Sequence, residues 1–146
     1  MIPLALLVGF VGGFLPVVNV ELFLLAATAA AGSPDLAALA LAAASGQMLA
    51  EVTWYAAGTG ALALPFPAAR RKLDTLKAAA QRHHQVGNAI LVSSATLGLP
   101  PFALIGVWSG MVRVSLATFL TVGLAGRFVR FSAVVLIAGA LVDARP

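Results

Sequence analysis

Residues 6–32 carry the pattern that decides the fold, and they read LLVGFVGGFLPVVNVELFLLAATAAAG. Glu21 is the one charged residue in this apolar run, and the segment Gly12-Gly13-Phe14-Leu15-Pro16 interrupts it. Proline removes a backbone N–H donor and its ring clashes with the preceding helical turn, so a Gly/Pro cluster in mid-run breaks or sharply kinks a helix. The stretch therefore predicts an apolar helix that is broken or kinked near its centre.

The whole chain shares this apolar character. Of its 146 residues, 61% are hydrophobic and 10% are charged, whereas globular domains average about 45–50% apolar and about 25% charged residues. A chain of this length has too little interior to hide so much apolar surface from water. We therefore expect one integral membrane domain over residues 1–146. Seven arginines against two lysines, together with abundant alanine, favour a GC-rich bacterial genome and hence a bacterial inner (plasma) membrane.

Four apolar blocks follow one another, over residues 1–32, 36–64, 86–112 and 116–142. The second and fourth are continuous and long enough to cross a hydrocarbon core of about 30 Å. The third is broken like the first, by Gly98-Leu99-Pro100-Pro101. Broken backbone at membrane depth is tolerated only where protein or a water-filled cavity satisfies the freed polar groups. Each broken block is thus a kinked spanning helix or a re-entrant hairpin that enters and leaves on one side, and we favour the hairpin.

The basic residues indicate the orientation of the chain. Five of the nine lie between Arg70 and Arg82, and an excess of Lys and Arg is typical of cytoplasmic loops. Apolar residues among them share one helical face, which predicts an amphipathic helix over 65–85 that lies on the membrane surface. With two hairpins, the basic loop 70–82 and Arg113 fall on the same, cytoplasmic side, as the Lys/Arg bias prefers. We attribute the net charge of +4 to this surface and expect no nucleic-acid partner.

The two broken blocks begin an internal repeat, over residues 1–64 and 86–142. Each half is a broken block followed by one crossing, so the two halves must have opposite orientations. Inverted repeats with paired broken helices are a transporter architecture, with the site where the breaks meet. The sequence thus predicts an all-α, multi-pass membrane fold with an inverted repeat joined by the helix over 65–85. The matching segments are Leu15-Pro16 with Leu99-Pro100, Gly46 with Gly126, and Gly60-Ala61-Leu62 with Gly139-Ala140-Leu141.

Four ionisable residues lie inside the apolar blocks: Glu21, Glu51, Arg127 and Arg130. A charge at the bilayer centre costs about 2.5–3.5 kcal/mol on insertion scales, so such residues usually face a cavity and one another. Two acids and two arginines form a neutral set. They either form ion pairs that hold the two halves of the chain together, or they line a hydrated cavity for an anionic group and protons. In the second interpretation, which we favour, Glu21 and Glu51 bind protons, whereas Arg127 and Arg130, with Asn19, bind an anionic headgroup.

The helix breaks are expected to line this site, through Gly13, Pro16, Gly98, Pro100 and Pro101. The sequence has no Ser/His/Asp constellation, no metal-ligand spacing, no nucleotide-binding motif and no cysteine. A chain without these patterns offers no nucleophile with an adjacent base and no cluster of metal ligands. We therefore expect that the protein is not an enzyme and that it holds neither a metal nor a cofactor.

Three short segments carry a family resemblance. They are Glu51, Tyr55 and Gly58, preceded by Gly46; Gly110-Met111-x-Arg113, preceded by Ser109 and followed by Phe119; and Glu21 with the apolar run Leu22–Ala26. In their order along the chain they resemble the DedA family of membrane proteins, also called the SNARE-associated or VTT domain, over about residues 10–135. The family has alanine where Ser109 stands and Pro-Gly before the first acid, where this chain has Asn19 two residues ahead of Glu21.

This resemblance implies two facing re-entrant hairpins and the movement of lipids, such as undecaprenyl phosphate, between leaflets with proton dependence. The family usually carries arginines around a Phe-x-Pro-Gly segment at the second broken helix, where Leu97 and Ala103 stand here. Either Arg127 and Arg130 replace those arginines from the next helix, or the substrate differs.

We therefore expect a transporter of the flippase or scramblase type that moves an anionic lipid or lipid carrier. Its partners would be membrane lipids and protons, and the sequence is compatible with a homo-oligomer. Two alternatives stay open. One is a proton-coupled exporter of small drug-like molecules, as in the small multidrug export family, which shares the general layout. The other is a membrane scaffold that transports nothing.

Overall fold

The computed structural model describes residues 1–15, 17–31, 35–60, 84–98 and 102–144. Several sequence-based expectations fall outside these ranges and stay predictions. They are the helix breakers Pro16, Pro100 and Pro101, the basic loop 70–82, and the amphipathic helix over 65–85 apart from its last two residues.

Every regular element in the described residues is an α-helix, and no strand occurs among them, which confirms the all-α class. A pair of short helices precedes a long one, and the same order then repeats. The helices are α1 (Ile2–Phe14), α2 (Val20–Ala31), α3 (Leu36–Thr59), α4 (His84–Leu97), α5 (Phe102–Met111) and α6 (Leu116–Asp143).

Two of these helices are long and apolar enough to cross a membrane, α3 over its 24 residues and α6 over Leu116–Leu141. At 1.5 Å per residue, 24 residues span about 36 Å, which exceeds a hydrocarbon core of about 30 Å. Their length and composition are thus compatible with a membrane protein that has transmembrane helices.

Both broken blocks are interrupted near the expected Gly/Pro clusters. α1 ends at Phe14, and α2 begins at Val20 after a turn in which the Val18 N–H donates to the Leu15 carbonyl oxygen (2.9 Å). α4 ends at Leu97, and Gly98 follows with a φ of 76° while its N–H donates to the Ser94 carbonyl oxygen. Glycine adopts this left-handed conformation without a steric penalty, so it ends the helix.

Gly13 does not lie in the break, contrary to expectation: it is helical and buried within α1. The reason is close packing. A Cβ at Gly13 would come within 2.5 Å of the Ala50 Cβ, so the missing side chain serves the contact between α1 and α3. The interruption begins after Phe14, at Leu15.

The other helix starts are fixed by polar caps. The Ala38 N–H donates to Asp35 Oδ1 (3.0 Å), which confirms that α3 starts next to Asp35. At the start of α6, the Thr118 N–H donates to Ser115 Oγ (3.1 Å). Such side chains satisfy backbone donors that the first helical turn leaves without a partner.

The chain divides into two compact units, which we call unit 1 (residues 1–50 and 124–146) and unit 2 (residues 51–123). These boundaries differ from those of the sequence repeat, since α3 and α6 each contribute one part to each unit.

In unit 1, buried side chains of α2, α3 and α6 form an apolar core that includes Leu24, Phe131 and Val135. α1 packs on α3 with backbones close together, because a Cβ at Gly46 would overlap the Leu6 carbonyl oxygen. Many large apolar side chains point outwards instead, on α1, α2 and α6. They include Leu7, Phe10, Leu22, Val129, Leu136 and Ile137. So large an exposed apolar surface is what a lipid-facing helix presents.

In unit 2, α5 packs on the C-terminal part of α3. A Cβ at Gly58 would overlap the Val107 carbonyl oxygen, and one at Gly110 would overlap the Tyr55 carbonyl oxygen. The Tyr55 ring lies against Phe119, with ring centroids 5.1 Å apart, and Phe119 also contacts Phe102 at 5.4 Å. These aromatic contacts tie α3, α5 and the first turns of α6 into one core.

Candidate functional site

An ion pair between Glu21 and Arg130 is the centre of the candidate site in unit 1. Glu21 lies in the first turn of α2, where an acid is stabilised by the N-terminal end of the helix dipole. Its Oε1 pairs with Nη2 of Arg130, on α6. Both side chains are partly accessible, at 28% for Glu21 and 33% for Arg130. The structure thus brings together one acid and one arginine of the four ionisable residues that the sequence singled out.

Apolar side chains beside this pair point outwards. Leu22 follows Glu21 directly and is 63% exposed, and Val129 precedes Arg130 and is 62% exposed. The pair therefore lies at the border of the outward apolar surface of unit 1. An amphiphile could place its head on the arginine while its chain lies along this surface.

Arg127 has a different environment from Arg130, although the two are three residues apart on α6. It is buried, its Nε donates to Gln47 Oε1 (3.0 Å), and its Nη1 lies 2.9 Å from Met48 Sδ. Both partners are on α3. Arg127 thus anchors α6 to α3, and its role as a headgroup ligand stays a prediction.

The sequence analysis did not single out Gln47 and Met48. Gln47 is an amide side chain near the centre of the mostly apolar helix α3, and its position there was a usable signal. A buried polar group is costly without a hydrogen bond, so an amide at such a position predicts a polar partner on another helix.

Asn19 lies at the N-terminus of α2, where its Oδ1 accepts a hydrogen bond from the Leu22 N–H (3.1 Å). Its carbonyl oxygen accepts a hydrogen bond from the Phe23 N–H (3.2 Å). As the cap of α2, Asn19 fixes the helix turn that carries Glu21. Headgroup binding by Asn19 stays a prediction, whereas its capping role is a property of the structure.

Glu51 lies on α3 in unit 2 and is almost completely buried. Its Oε2 is 3.4 Å from the position that a Cβ at Gly106 of α5 would occupy. One turn further along α5, Ser109 is fully buried, and its Oγ has no hydrogen-bond partner among the described residues. A carboxylate of α3 thus lies against α5, and α5 buries a hydroxyl one turn further along.

The segments Glu51–Gly58 and Gly110–Arg113 contact each other in unit 2. The Tyr55 hydroxyl donates to the Val114 carbonyl oxygen (2.5 Å), and the Gly110 backbone lies against Tyr55. Sequence analysis treated these segments as separate patterns. Their contact gives a physical reason for small residues in both, because each glycine faces the backbone of the other helix.

Arg113 follows α5 in an unusual conformation. Its φ is 59°, the one positive φ among the described non-glycine residues. Its N–H donates to the Gly110 carbonyl oxygen (3.3 Å), and the Val114 N–H donates to the Ser109 carbonyl oxygen (2.9 Å). This is the helix C-terminal motif in which glycine usually occupies the left-handed position. The exposed Arg113 side chain is therefore held at the tip of the turn between α5 and α6.

Comparison with protein-family models, with curated protein sequences and with solved structures finds no match for this chain.

Proposed function

We propose that this chain is a multi-pass protein of a bacterial inner membrane that moves an anionic lipid between leaflets, with proton coupling. A polyprenyl phosphate is an example of such a lipid. The observation that carries the proposal is the partly accessible Glu21–Arg130 pair at the border of an apolar surface. Ionisable side chains within membrane segments are costly, and they usually mark substrate or proton pathways.

The surface of unit 1 supports the membrane assignment. In water, a protein of this size would bury most of its large apolar side chains, whereas α1, α2 and α6 expose rows of them. α6 combines this exposure with a length that fits a bilayer. A lipid environment accounts for both properties.

The helix breaks support re-entrant hairpins. Loops in water are rich in polar and turn-forming residues, and such residues occupy the turns at Asp35 and at Arg113-Val114-Ser115. Beside the exposed cap residue Asn19, the breaks also expose large apolar side chains: Val17 is 91% exposed and Leu97 is 72% exposed. An apolar tip is suited to the bilayer interior. This contrast also agrees with the architecture that the DedA resemblance implies, and we propose membership of that family.

In the proposed mechanism, Arg130 binds the headgroup. Its planar guanidinium can donate two parallel hydrogen bonds to phosphate oxygens, which lysine cannot do. The hydrocarbon chain lies along Leu22 and Val129, in contact with the bilayer. Glu21 and Glu51 are the carboxylates that bind and release protons. Arg127 holds α6 against α3 and completes the positive side of the site.

The test is reconstitution into liposomes with a leaflet-specific assay for a labelled anionic lipid, run with and without a proton gradient. Arg130→Lys keeps the charge but cannot donate two parallel hydrogen bonds to the headgroup. We therefore expect lipid movement per folded molecule to fall about 10- to 100-fold, as for the loss of a charged hydrogen bond. Arg113→Lys is the matched control at an exposed turn and should move lipid at the parental rate.

Three results separate the candidate functions. Parental lipid movement by Arg130→Lys protein that elutes normally in size-exclusion chromatography would refute headgroup binding by Arg130. Movement of a cationic dye in place of lipid would favour the multidrug exporter. If neither the anionic lipid nor the cationic dye moved faster than in protein-free liposomes, the result would favour the membrane scaffold.

A further inference from the structure

The Glu21–Arg130 pair lies at the depth of the middle of α3. The neighbouring Arg127 contacts Gln47 and Met48, which are the two central residues of α3. Arg130 lies one helical turn from Arg127 on α6, a shift of about 4.5 Å along the helix axis. In a bilayer that α3 crosses, the pair is therefore about 10 Å or more from either edge of the hydrocarbon core.

At this depth the pair has fewer polar partners than it needs. A guanidinium has five N–H donors, and among the described residues Glu21 is the one group that pairs with Arg130. Both side chains are partly exposed. Hydrocarbon offers no hydrogen-bond acceptor, so polar groups within it must be satisfied by protein. Lipid tails therefore leave the exposed part of this pair unsatisfied.

The other charged positions described in unit 1 are not available for this purpose. Arg127 is buried and contacts α3. Asp35 caps the start of α3, about 18 Å along the axis from the middle of that helix. Asp143 ends α6, about 20 Å along the axis from Arg130. The missing partner has to come from outside the described part of unit 1.

The surface around the pair allows another helix to come close. Leu22 on α2 and Val129 on α6 are exposed beside the pair, and many of the remaining exposed residues of the two helices are alanines. Small residues let helix backbones approach each other within a membrane. The exposed alanines are Ala26, Ala29 and Ala30 on α2, and Ala125 and Ala133 on α6.

We propose that two copies of this chain associate through this face, with α2 of each copy packed on α6 of the other. Copies inserted in the same direction are related by a two-fold axis along the membrane normal. In such an interface, if residue i contacts residue j of the other copy, then j also contacts i. Glu21 of each copy thus pairs with Arg130 of the other, in addition to its own.

Charge complementarity selects a second copy as the occupant. Glu21 and Arg130 are paired within one copy, so they lie at the same depth, and the two-fold axis preserves that depth. The two acids and the two arginines therefore alternate at one level, and each charge has opposite charges as its neighbours. A lipid tail offers no charge, and a different protein would need an acid and an arginine at this same depth.

The interface rests only on the membrane location, and it goes beyond the proposed lipid movement. A second copy covers Leu22 and Val129, along which the lipid chain is proposed to lie. The second copy and a lipid bound at Arg130 therefore exclude each other on this face. This last consequence rests on the proposed function, whereas the interface does not.

Cysteine cross-linking tests the face. The chain has no cysteine, so introduced cysteines react without a background. A preparation with Leu22→Cys and a differently tagged one with Val129→Cys are reconstituted together into phosphatidylcholine vesicles and oxidised with copper phenanthroline. We expect a disulfide-linked product that carries both tags. Leu7→Cys, at an exposed position on α1, is the matched control in place of Leu22→Cys and should give only the yield of random collisions. Equal yields would overturn the α2–α6 face.

Energy transfer between donor-labelled and acceptor-labelled copies in the same vesicles measures association. For the parent protein, we expect transfer above the level of random collisions as the protein is diluted with lipid. Glu21→Gln should weaken association about 10- to 100-fold, as for the loss of a charged hydrogen bond. Asp35→Asn is the matched control, because asparagine also caps helices, and it should associate like the parent. Parental association of Glu21→Gln would overturn the role of the charges.

A mixing experiment tests the exchange of partners directly. Copies with Glu21→Arg carry two positive charges on this face, and copies with Arg130→Glu carry two negative ones. We expect little energy transfer within either population and restored transfer when the two are mixed. Equal transfer in all three samples would contradict pairing between copies.

The parent protein decides the matter even if these variants fail to fold. Transfer by the parent at the collision level at every dilution would overturn the dimer, and lipid movement by such a monomer would leave the proposed function standing. A parent that forms the Leu22–Val129 cross-link but moves no lipid would support the interface and count against the proposed function.

Discussion

α1 in unit 1 and α5 in unit 2 both pack on α3 with a pair of glycines four residues apart. On α1 the pair is Gly9 and Gly13, and it faces Ala43 and Ala50. On α5 the pair is Gly106 and Gly110, and it faces Glu51, Trp54 and Tyr55. Small residues at this spacing bring helix backbones together in both units. In unit 1 the glycines meet the α3 backbone, the Ala50 side chain and the Gln47 side chain, whereas in unit 2 the contact leaves room for a carboxylate.

This difference indicates two uses of one packing motif. Where α1 meets α3, the absence of side chains on Gly9 and Gly13 brings the two backbones close together, which stabilises the fold. Where α5 meets α3, the absence of a Cβ at Gly106 lets the Glu51 carboxylate lie against the helix. Substitutions in the two interfaces should therefore differ in kind, with a loss of stability in unit 1 and a loss of activity in unit 2.

The largest effect is expected for Gly46→Leu in unit 1. Even a Cβ at this position would overlap the Leu6 carbonyl oxygen, which belongs to backbone and cannot rotate away. Overpacking costs about 1–3 kcal/mol and occasionally more, and a clash with backbone falls at the upper end. The yield of monodisperse protein after detergent extraction measures the loss. The matched control is Leu49→Ala, at an exposed position on the same helix, which should leave the yield near parental.

The sharpest test of the comparison pairs Gly13→Ala with Gly106→Ala. At Gly13 the new Cβ would lie 2.5 Å from the Ala50 Cβ, whereas at Gly106 it would lie 3.2 Å from the Trp54 Cβ and 3.4 Å from Glu51 Oε2. We expect Gly13→Ala to lose about 1–3 kcal/mol of stability and to keep its activity per folded molecule. Gly106→Ala should lose less stability and more activity. Thermal unfolding and liposome lipid movement, measured on the same preparations, give both quantities. The reverse order would refute the division of roles.

The smallest effect is expected for Tyr55→Phe in unit 2. The substitution removes the hydrogen bond to the Val114 carbonyl oxygen and keeps the contact of the ring with Phe119. One such bond contributes about 0.5–1.5 kcal/mol to stability, so thermal unfolding should shift by a few degrees at most. Tyr55→Ala, which also removes the ring contact, should be clearly less stable. Equal unfolding temperatures of the two variants would show that the aromatic contact does not contribute to stability.

Much of the secondary structure could be predicted from the sequence because its determinants are local. The Gly/Pro clusters predict interruptions of the first and third blocks, and Asp35 predicts the start of α3. Proline and helix caps act within one helical turn, so their effect can be read without knowing what packs against the helix.

The contacts between helices could be predicted only in part. Ion pairing was one of two interpretations of the neutral set of four ionisable residues, and the structure pairs Glu21 with Arg130. Sequence alone did not predict that Arg127 and Arg130 have different environments. α3 and α6 are apolar on every side, so their patterns do not indicate which face of each helix contacts which neighbour. The role of Gly13 was missed for the same reason. From sequence alone, a glycine is equally compatible with a helix break and with a close contact between two helices, until the neighbouring helix is known.

The position of the Glu21–Arg130 pair beside Leu22 and Val129 has a practical consequence for purification. Outside a bilayer, detergent tails will cover the apolar surface, and this places detergent headgroups within reach of the arginine. An anionic detergent would resemble the proposed anionic ligand and compete with it, whereas a nonionic maltoside or glucoside would leave the pair as it is. The choice of detergent thus decides whether a binding experiment begins with an empty site or with an occupied one.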